Sequence, residues 1–206
     1  MTTGSPSKIG VIICSQRKPR AGPQIATFVL QTLQSISLEP SSLTLIDLSE
    51  WNLPLFDEST IPSQVTDHSQ YDHPHTRAWS VEIQRYDAFI FVTPQYNWGY
   101  PASVKNAIDY LYHEWKGKPA LIVSYGGHGG GKAAAQLRQV LCGVRMRPTI
   151  KMPELMFPGK EFLGKAARGD QLGLTGGDDE IWSAERKIIS EAFTELLELL
   201  SANVGS

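Results

Sequence analysis

The chain has 206 residues, 41% of them hydrophobic and 19% charged, and its 19 lysines and arginines nearly balance 21 aspartates and glutamates. These values predict one globular domain over 1–206 and exclude the strongly basic surface of a nucleic-acid-binding protein. No apolar run approaches the ~20 residues that span a bilayer, and the polar segment 1–7 is predicted to be a disordered tail without a secretory signal. With only Cys14 and Cys142, a disulfide scaffold is excluded and a cytoplasmic location is favoured.

Short apolar runs alternate with helical patterns along the chain. Strands are predicted at 8–13, 42–48, 87–93, 118–124 and 148–152. Helices with one apolar face are predicted at 23–36, 77–84, 104–115, 133–144 and 180–200. Two long segments without periodicity, 52–74 and 153–178, are predicted to be irregular.

This alternation predicts an α/β fold, a doubly wound five-stranded parallel sheet with helices on both faces. Ligands of such sheets bind at the carboxyl ends of the strands, near the point where the strand order reverses. The loops after the first, third and fourth strands are therefore the candidates for a binding site.

The first of these loops, 14–23, joins a strand to the N-terminus of a helix. That position favours an anion, because it presents free backbone N–H groups and the positive end of the helix dipole. Ser15 adds a hydroxyl, and Arg17, Lys18 and Arg20 add positive charge. The loop matches neither the nucleotide-triphosphate loop motif nor G-x-G-x-x-G. It predicts a phosphate site, with a solvated basic turn as the alternative.

The second loop, 93–101, carries Tyr96, Trp98 and Tyr100 between two prolines. Aromatic side chains at the end of a buried strand indicate a site for a flat ring, whose polar edge the amide and backbone groups would meet. The alternative is a hydrophobic corner that packs under the next helix.

The third loop, 124–131, contains five glycines. Glycine lets the backbone approach a ligand closely, whereas the alternative is a flexible turn. Together the three loops describe the site of a phosphorylated flat ring, a mononucleotide such as FMN, bound as in flavodoxin with strand order 2-1-3-4-5.

A longer motif covers the second loop and the helix after it. Residues 94–102 read PQYNWGYPA and residues 105–109 read KNAID. This run resembles the signature of the NADPH-dependent FMN reductase family, P-x-Y-N-x-x-x-P-x-x-L-K-N-A-I-D, with Val104 where leucine is common. The segments YHEW at 112–115, GKPA at 117–120 and SYGG at 124–127 are also similar to the family, most of all to its fungal quinone and flavin reductase branch. The resemblance covers about 8–150.

The resemblance implies a flavodoxin-like homodimer that holds FMN and takes a hydride from NADPH or NADH. It assigns the FMN phosphate to Ser15 and Arg17. It assigns the ribityl chain and ring to Pro94, Gln95, Tyr96, Asn97 and Trp98. It assigns the pyrimidine end of the ring to Ser124, Gly126 and Gly127.

The first loop departs from the family pattern. Cys14 stands where many relatives have glycine, and no second serine or threonine follows Arg17 before Pro23. The phosphate is therefore expected to rely on Ser15, Arg17, backbone N–H groups and Gln24. Arg20 or Lys18 is a candidate for the 2′-phosphate of NADPH, with solvent exposure as the alternative.

The expected activity is transfer of a hydride from NAD(P)H, through bound FMN, to quinones or similar acceptors in a two-electron ping-pong cycle. Free flavin, azo compounds and metal oxyanions are alternative acceptors. A flavin-bearing sensor that binds a protein partner according to redox state is an alternative from another class, and a one-electron flavodoxin is a third. No catalytic acid or base is assigned.

The remaining expectations concern partners. The segment 52–74 and the helix after the third strand are predicted to form a dimer interface, because Tyr110, Tyr112 and Trp115 exceed what one helix face needs. A metal site is not expected, since the histidines at 68, 73 and 75 have no cysteine partner. Neither nucleic acid nor a membrane is expected as a partner.

Overall fold

Parallel strands form one sheet in the computed structural model, which describes residues 6–35, 42–174 and 181–202. The strands are β1 (Lys8–Ile13), β2 (Ser42–Asp47), β3 (Ala88–Pro94), β4 (Pro119–Gly126), β5 (Arg147–Pro148) and β6 (Glu154–Met156). Their order is β2-β1-β3-β4-β5, with β6 also paired to β4, and the pairs are parallel. The predicted fold class and the order 2-1-3-4-5 are confirmed. Of the predicted tail 1–7, residues 1–5 lie outside the described part.

Helices cover both faces of this sheet. They are α1 (Gly22–Gln34), α2 (Leu48–Trp51), α3 (Pro74–Gln84), α4 (Ala102–Asp109), α5 (Gly131–Gly143), α6 (Gly159–Arg168) and α7 (Ser183–Ser201). Side chains of β3 alternate between the faces, because successive residues of a strand point in opposite directions. Ile90 and Val92 pack in the cluster that includes α1, α6 and α7, whereas Phe89 and Phe91 pack in the cluster with α3, α4 and α5.

The fifth strand differs from its prediction at 148–152. Only Arg147–Pro148 pairs there, and the chain leaves the sheet before it returns as β6. The backbone N–H groups of Ile150 and Lys151 donate to the Glu195 carboxylate of α7 instead of a strand. Proline on either side of this stretch cannot donate to a ladder, so the fifth position of the sheet is filled by two short segments.

The segment 153–178, predicted to be irregular, contains a strand and a helix. β6 continues the sheet, and α6 follows with Phe162 and Ala166 buried on one side. Gly169 ends α6 in the left-handed conformation that glycine adopts at helix ends. Residues 175–178 of the segment, and residue 180 of the predicted last helix, lie outside the described part of the chain.

The segment 52–74 contains two single 3₁₀ turns, Pro62–Gln64 and His68–Gln70, before α3 begins at Pro74. Tyr110 and Trp115, predicted to face a partner, are instead buried inside the chain. The Tyr110 hydroxyl donates to Asp57, and the Trp115 ring packs edge-on against Phe89. Two of the three aromatic residues therefore fill this chain's own core, while Tyr112 is half-buried with its ring against His113.

Among the helices of the described ranges, none has the length and apolar character needed to cross a membrane.

Candidate functional site

A cleft opens at the carboxyl ends of β1, β3 and β4, where the sequence predicted a site. It encloses about 650 Å³ of non-protein space, open solvent included. It is lined by Arg17, Arg20, Ala21, Pro94, Gln95, Tyr96, Tyr125, Gly126, Gly127, Phe157, Leu163, Ala166 and Ala167. All three predicted loops meet here, and α6 supplies a wall that the sequence did not predict.

Ser15 lies between β1 and the start of α1, near the lining residue Tyr125, and is not itself part of the lining. The residue is 1% exposed, and its Oγ makes no well-formed hydrogen bond among the described residues. Its nearby polar side chain is Tyr125, with which it interacts and whose hydroxyl also lies against the Cβ position of Gly22. Gly22 lies directly against it, since a Cβ at that position would stand 2.1 Å from Oγ. A buried hydroxyl without a well-formed hydrogen bond costs free energy, which a bound ligand with an acceptor oxygen recovers.

The two arginines that line the cleft have different partners. Arg17 donates from its terminal nitrogens to the carbonyl oxygens of Ala166 (3.1 Å) and Ala167 (2.8 Å). Arg20 forms a two-point ion pair with Asp47 at 2.9 and 2.6 Å, and this hydrogen bonding raises the pKa of Arg20. Asp47 thus largely neutralises the charge of Arg20. This makes Arg20 a weaker candidate for binding the 2′-phosphate of NADPH.

The second loop divides between the cleft and the surface. Pro94, Gln95 and Tyr96 line the cleft, and burial raises the pKa of the Tyr96 hydroxyl. Asn97 and Trp98 both adopt positive φ, at 47° and 69°, within a turn closed by two backbone hydrogen bonds between Tyr96 and Gly99. This turn carries them away from the lining. The exposed Trp98 ring stacks on His128, with centroids 5.4 Å apart.

The third loop presents backbone to the cleft. Gly126 and Gly127 line it, as predicted. Ser124, predicted to contact the ring, is fully buried, and its hydroxyl donates to the Gly129 carbonyl. Its role in this structure is to hold the glycine loop in shape.

Gln24, like Asn97, Trp98 and Ser124, is a predicted residue that does not line the cleft. Its amide group donates to the Asp170 carbonyl and accepts from the Leu172 N–H, both at 2.9 Å. It therefore ties α1 to the chain that follows α6.

Motif residues outside the cleft hold its loops in position. The Ser103 hydroxyl donates to the Cys14 carbonyl and so ties α4 to the first loop. The Asn106 amide donates to Pro54 O and accepts from Phe56 N–H, which anchors the segment 52–74. Asn106 of the KNAID motif thus has a structural role.

The lining residues that sequence reasoning did not single out are Ala21, Tyr125, Phe157, Leu163, Ala166 and Ala167. Arg20 was singled out, for the charge of the first loop and for the NADPH 2′-phosphate. Tyr125 stands within the SYGG segment, and the alternation of β4 was a usable signal for it. The members on α6 follow helical spacing and precede Gly169, a readable helix end. That they face this cleft was not readable, because the segment is joined to the first loop only by contacts ~150 residues apart in sequence.

The histidines at 73 and 75 make contacts with each other and with neighbouring residues of the chain. His73 and His75 stack at 5.0 Å, and the His75 ring nitrogen lies 3.1 Å from the Asp57 carboxylate. In the described ranges, no group of three or more histidine, cysteine or carboxylate side chains is arranged to hold a metal ion.

Comparison with known proteins agrees with these observations. Residues 7–161 match the family model described as NADPH-dependent FMN reductase. The chain is 44% identical over 167 residues to the NAD(P)H-dependent FMN reductase LOT6 of Saccharomyces cerevisiae, covering 73% of this chain and 87% of that protein. It is 35% identical over 163 residues to a quinone reductase of Pseudomonas putida, covering 75% of this chain and 80% of that one.

Among solved structures, FerB of Paracoccus denitrificans, described as a flavoenzyme NAD(P)H:(acceptor) oxidoreductase, superposes with a TM-score of 0.65. At 22% identity, over 93% of this chain and 98% of FerB, that likeness concerns the fold alone. The family match covers most of the chain, including the three loops of the cleft. The chain is therefore an oxidoreductase of the NADPH-dependent FMN reductase family, and FMN is its cofactor.

Proposed function

We propose that the cleft holds FMN and that the enzyme uses it to pass electrons from NADPH or NADH to quinones or similar small acceptors. The observation that carries this proposal is the buried Ser15 hydroxyl, which makes no well-formed hydrogen bond among the described residues and lies in the loop that also brings Arg17 to the cleft. A phosphate supplies the acceptor oxygens that this hydroxyl lacks. The donor set therefore fits the cofactor.

Each group of residues in and beside the lining has a proposed role. Ser15 and Arg17 hold the phosphate, while Pro94, Gln95 and Tyr96 flank the sugar chain and ring. Gly126 and Gly127 lack side chains, so their backbone can approach the polar edge of the ring. The remaining predicted contacts, Gln24, Asn97, Trp98 and Ser124, are proposed to act by positioning these loops.

Bound FMN supplies the redox chemistry, because its ring accepts a hydride and passes two electrons on. The chain's own groups bind, orient and exclude water. Phe157 and Leu163 place apolar surface on one wall, which strengthens the polar contacts opposite. Cys14 takes no part, since burial raises the pKa of its thiol, which donates to the Ile12 carbonyl.

We further propose a ping-pong cycle, in which the nicotinamide and the acceptor use one exposed face of the ring in turn. Quinones are the favoured acceptor class because relatives at this level of identity carry that name. Free flavin, azo compounds and metal oxyanions are the other acceptors to compare. The thiols of Cys14 and Cys142 are both free, which suits the reducing cytoplasmic setting expected from the sequence.

The enzyme is proposed to act as a homodimer. Three apolar side chains of the segment 52–74, Leu55, Phe56 and Ile61, are exposed. Together they form the kind of apolar surface that marks an interface. The sensor alternative loses part of its basis, because much of the segment 153–178 that it relied on packs against this chain's own cleft.

The test is the flavin content of the purified protein and its response to NADPH. We expect the protein to bind FMN with its visible absorbance, to bleach on anaerobic addition of NADPH, and to regain colour on addition of a quinone. Riboflavin, which lacks the phosphate, should bind at least about tenfold more weakly, because a phosphate contact contributes ~1.5–3 kcal/mol. Equal affinity for riboflavin and FMN, or a folded protein that binds neither, would contradict the proposal.

A further inference from the structure

Helix α6 forms one wall of the proposed flavin cleft. Its Phe162 and Ala166 are buried toward the sheet, while Leu163, 45% exposed, lines the cleft with Ala166 and Ala167. The family motifs and the three predicted loops assign no role to this helix. Its contacts with the first loop include side-chain hydrogen bonds and a close backbone approach, in addition to apolar packing.

The first contact joins the end of α6 to Arg17. The guanidinium donates to the Ala166 and Ala167 carbonyls in the last turn of the helix. Carbonyl groups there have no helical partner, and the negative end of the helix dipole favours a cation. Two of the five N–H donors of the guanidinium group are used in this way, and the Arg17 side chain also interacts with the Tyr96 hydroxyl. Two of the five donors then remain for a phosphate.

Two further contacts reinforce the first. Gly169, at φ 74°, packs so closely on the first loop that a Cβ there would stand 2.8 Å from Pro19 Cβ. Gln24 of α1 accepts from Leu172 N–H and donates to Asp170 O. The chain from α6 to residue 172 is thus fastened to the loop and helix that would hold the phosphate.

The opposite side of α6 rests on Trp182. Its ring packs edge-on against Phe162, with centroids 5.5 Å apart, and its indole N–H donates to the Met156 carbonyl. Trp182 therefore supports α6 without lining the cleft. The cleft keeps about 650 Å³ with α6 in place, so the helix walls the site and does not fill it.

We propose that α6 is a same-chain clamp that retains bound FMN, with Arg17 holding the cofactor phosphate and the end of α6 at once. The proposal rests on the proposed function, since it takes FMN to be the occupant. Release of FMN then requires the contacts at Arg17 and Gly169 to open. Because coupling between two binding events is reciprocal, FMN in turn stabilises the docked helix.

The test compares two glycine substitutions in the same segment. Gly169→Ala and Gly173→Ala both place alanine at positive φ, at 74° and 65°, so both add similar backbone strain. Only the first creates a clash with Pro19, since nothing lies within 4 Å of a Cβ at Gly173. Release of FMN after rapid dilution of the complex, followed by the rise in FMN fluorescence as the cofactor leaves the protein, should be at least about tenfold faster for G169A and within about twofold of wild type for G173A.

A second pair guards against misfolding of G169A. Leu163→Ala removes an apolar side chain from the cleft wall, whereas Ile188→Ala removes the same volume from a similarly exposed helical site outside the lining. L163A should weaken FMN binding about fivefold or more, and I188A should leave it unchanged. As a readout independent of activity, FMN should slow tryptic cleavage after Lys160 and Lys165 of α6.

The outcomes separate the two proposals. If the wild-type protein binds no FMN, the proposed function fails and the clamp fails with it. If wild type binds FMN but G169A and L163A release it at the wild-type rate, or if FMN does not protect α6 from trypsin, the clamp alone is overturned. Tighter binding by G169A would also overturn it, because α6 would then obstruct the site.

Discussion

Two buried serines at strand ends differ in whether the hydroxyl is hydrogen-bonded within the protein, and this difference indicates which serine binds the ligand and which one stabilises the fold. Ser15 and Ser124 are both buried, and both were predicted to contact the cofactor. The hydroxyl of Ser124 donates to Gly129 O, whereas that of Ser15 makes no well-formed hydrogen bond among the described residues. An unsatisfied buried hydroxyl is a cost to the empty protein, and an acceptor oxygen of a bound ligand can remove that cost.

Alanine substitutions should therefore have opposite effects at these two serines. We expect Ser15→Ala to leave the melting temperature of the FMN-free protein unchanged or higher, and to weaken FMN binding about tenfold, because it removes a hydrogen bond to a charged group. Ser124→Ala should lower the free energy of unfolding by about 1 kcal/mol, because it removes a satisfied bond. Thermal unfolding and fluorescence titration measure both. A large loss of stability in S15A would contradict the assignment.

Trp98 belongs to the loop motif but does not line the cleft. Its ring is exposed and stacks on His128, outside the side chains that enclose the cleft. We expect Trp98→Ala to change the affinity for FMN less than about twofold, while Tyr96→Ala, at a lining position, weakens it about tenfold. Titration with FMN compares the two variants. A loss in W98A as large as that in Y96A would restore the motif-based assignment of Trp98 to the flavin.

Lys118 makes stability depend on pH. Burial lowers its pKa to about 8, although its ammonium group donates to the Ile83 carbonyl at 2.8 Å. The folded protein therefore binds fewer protons here than the unfolded chain between about pH 8 and pH 10. The folded state is penalised at neutral pH, and the penalty is relieved as pH rises through that window.

Replacing this lysine should remove the penalty. We expect Lys118→Met to raise the free energy of unfolding at pH 7 by about 1–2 kcal/mol, with the gain shrinking toward pH 9.5. Urea unfolding of both proteins across this range measures the difference. A gain that does not vary with pH, or a loss at pH 7, would show that the Lys118 amine is not the cause.

At the scale of elements, the connection from β4 to α5 depends on one glycine. Gly130 caps α5 at φ 93°, and a Cβ there would stand 2.8 Å from Ser124 Cβ and 2.9 Å from Tyr125 N. The loop that lines the cleft can therefore turn into the helix only if this residue has no side chain. Gly143, at the other end of α5, has open space around its Cβ position.

These two ends of one helix offer a matched comparison. We expect Gly130→Ala to cost about 3 kcal/mol or more, since left-handed strain adds to the overlap with β4, and to abolish FMN binding. Gly143→Ala should be neutral or stabilise by up to about 1 kcal/mol, because alanine favours the helix. Urea unfolding checks both values. Similar stability of the two variants would contradict the role of Gly130.

Helix α6 is the element of the site that the sequence did not predict. Its local pattern is helical, but its place over the cleft follows from Arg17, Gln24 and Pro19, all in the first quarter of the chain. The three predicted loops alone would form an open surface at the end of the sheet. Helix α6 adds an apolar wall, and the loops and the helix together enclose a cleft.

At the scale of the whole molecule, the exposed apolar side chains of the segment 52–74 bear on assembly. Leu55 is 82% exposed and Ile61 61% exposed. We expect the double variant Leu55→Asp/Ile61→Asp to be monomeric by sedimentation, because two charges oppose burial of this surface. Ile150→Asp, at an equally exposed apolar position near β5, should leave the dimer intact. A wild-type monomer, or a dimer that survives the double substitution, would contradict the proposed interface.

Local pattern was sufficient to predict the first four strands of the sheet, whereas the strand order was inferred from the likeness of the three loops to the FMN site of flavodoxin. β1 and β3 are continuous apolar runs of β-branched and aromatic residues, a pattern that depends on neighbours along the chain and needs no distant contact. The motif at 94–109 was likewise readable residue by residue, and the comparisons confirm the family it indicated.

Only the tertiary structure decided which of the motif side chains face the cleft and what encloses it. Gln24, Ser124 and Trp98 turned elsewhere because Asp170, Gly129 and His128 compete for them, and the sequence pattern does not record such competition. The division of the fifth strand has both kinds of cause. The prolines at 148 and 153 are local, whereas Glu195 of the last helix takes the N–H groups that a strand would use. A side chain's destination is set by the free energy of contacts between distant segments, whereas the tendency to form a strand or helix is set within a few residues.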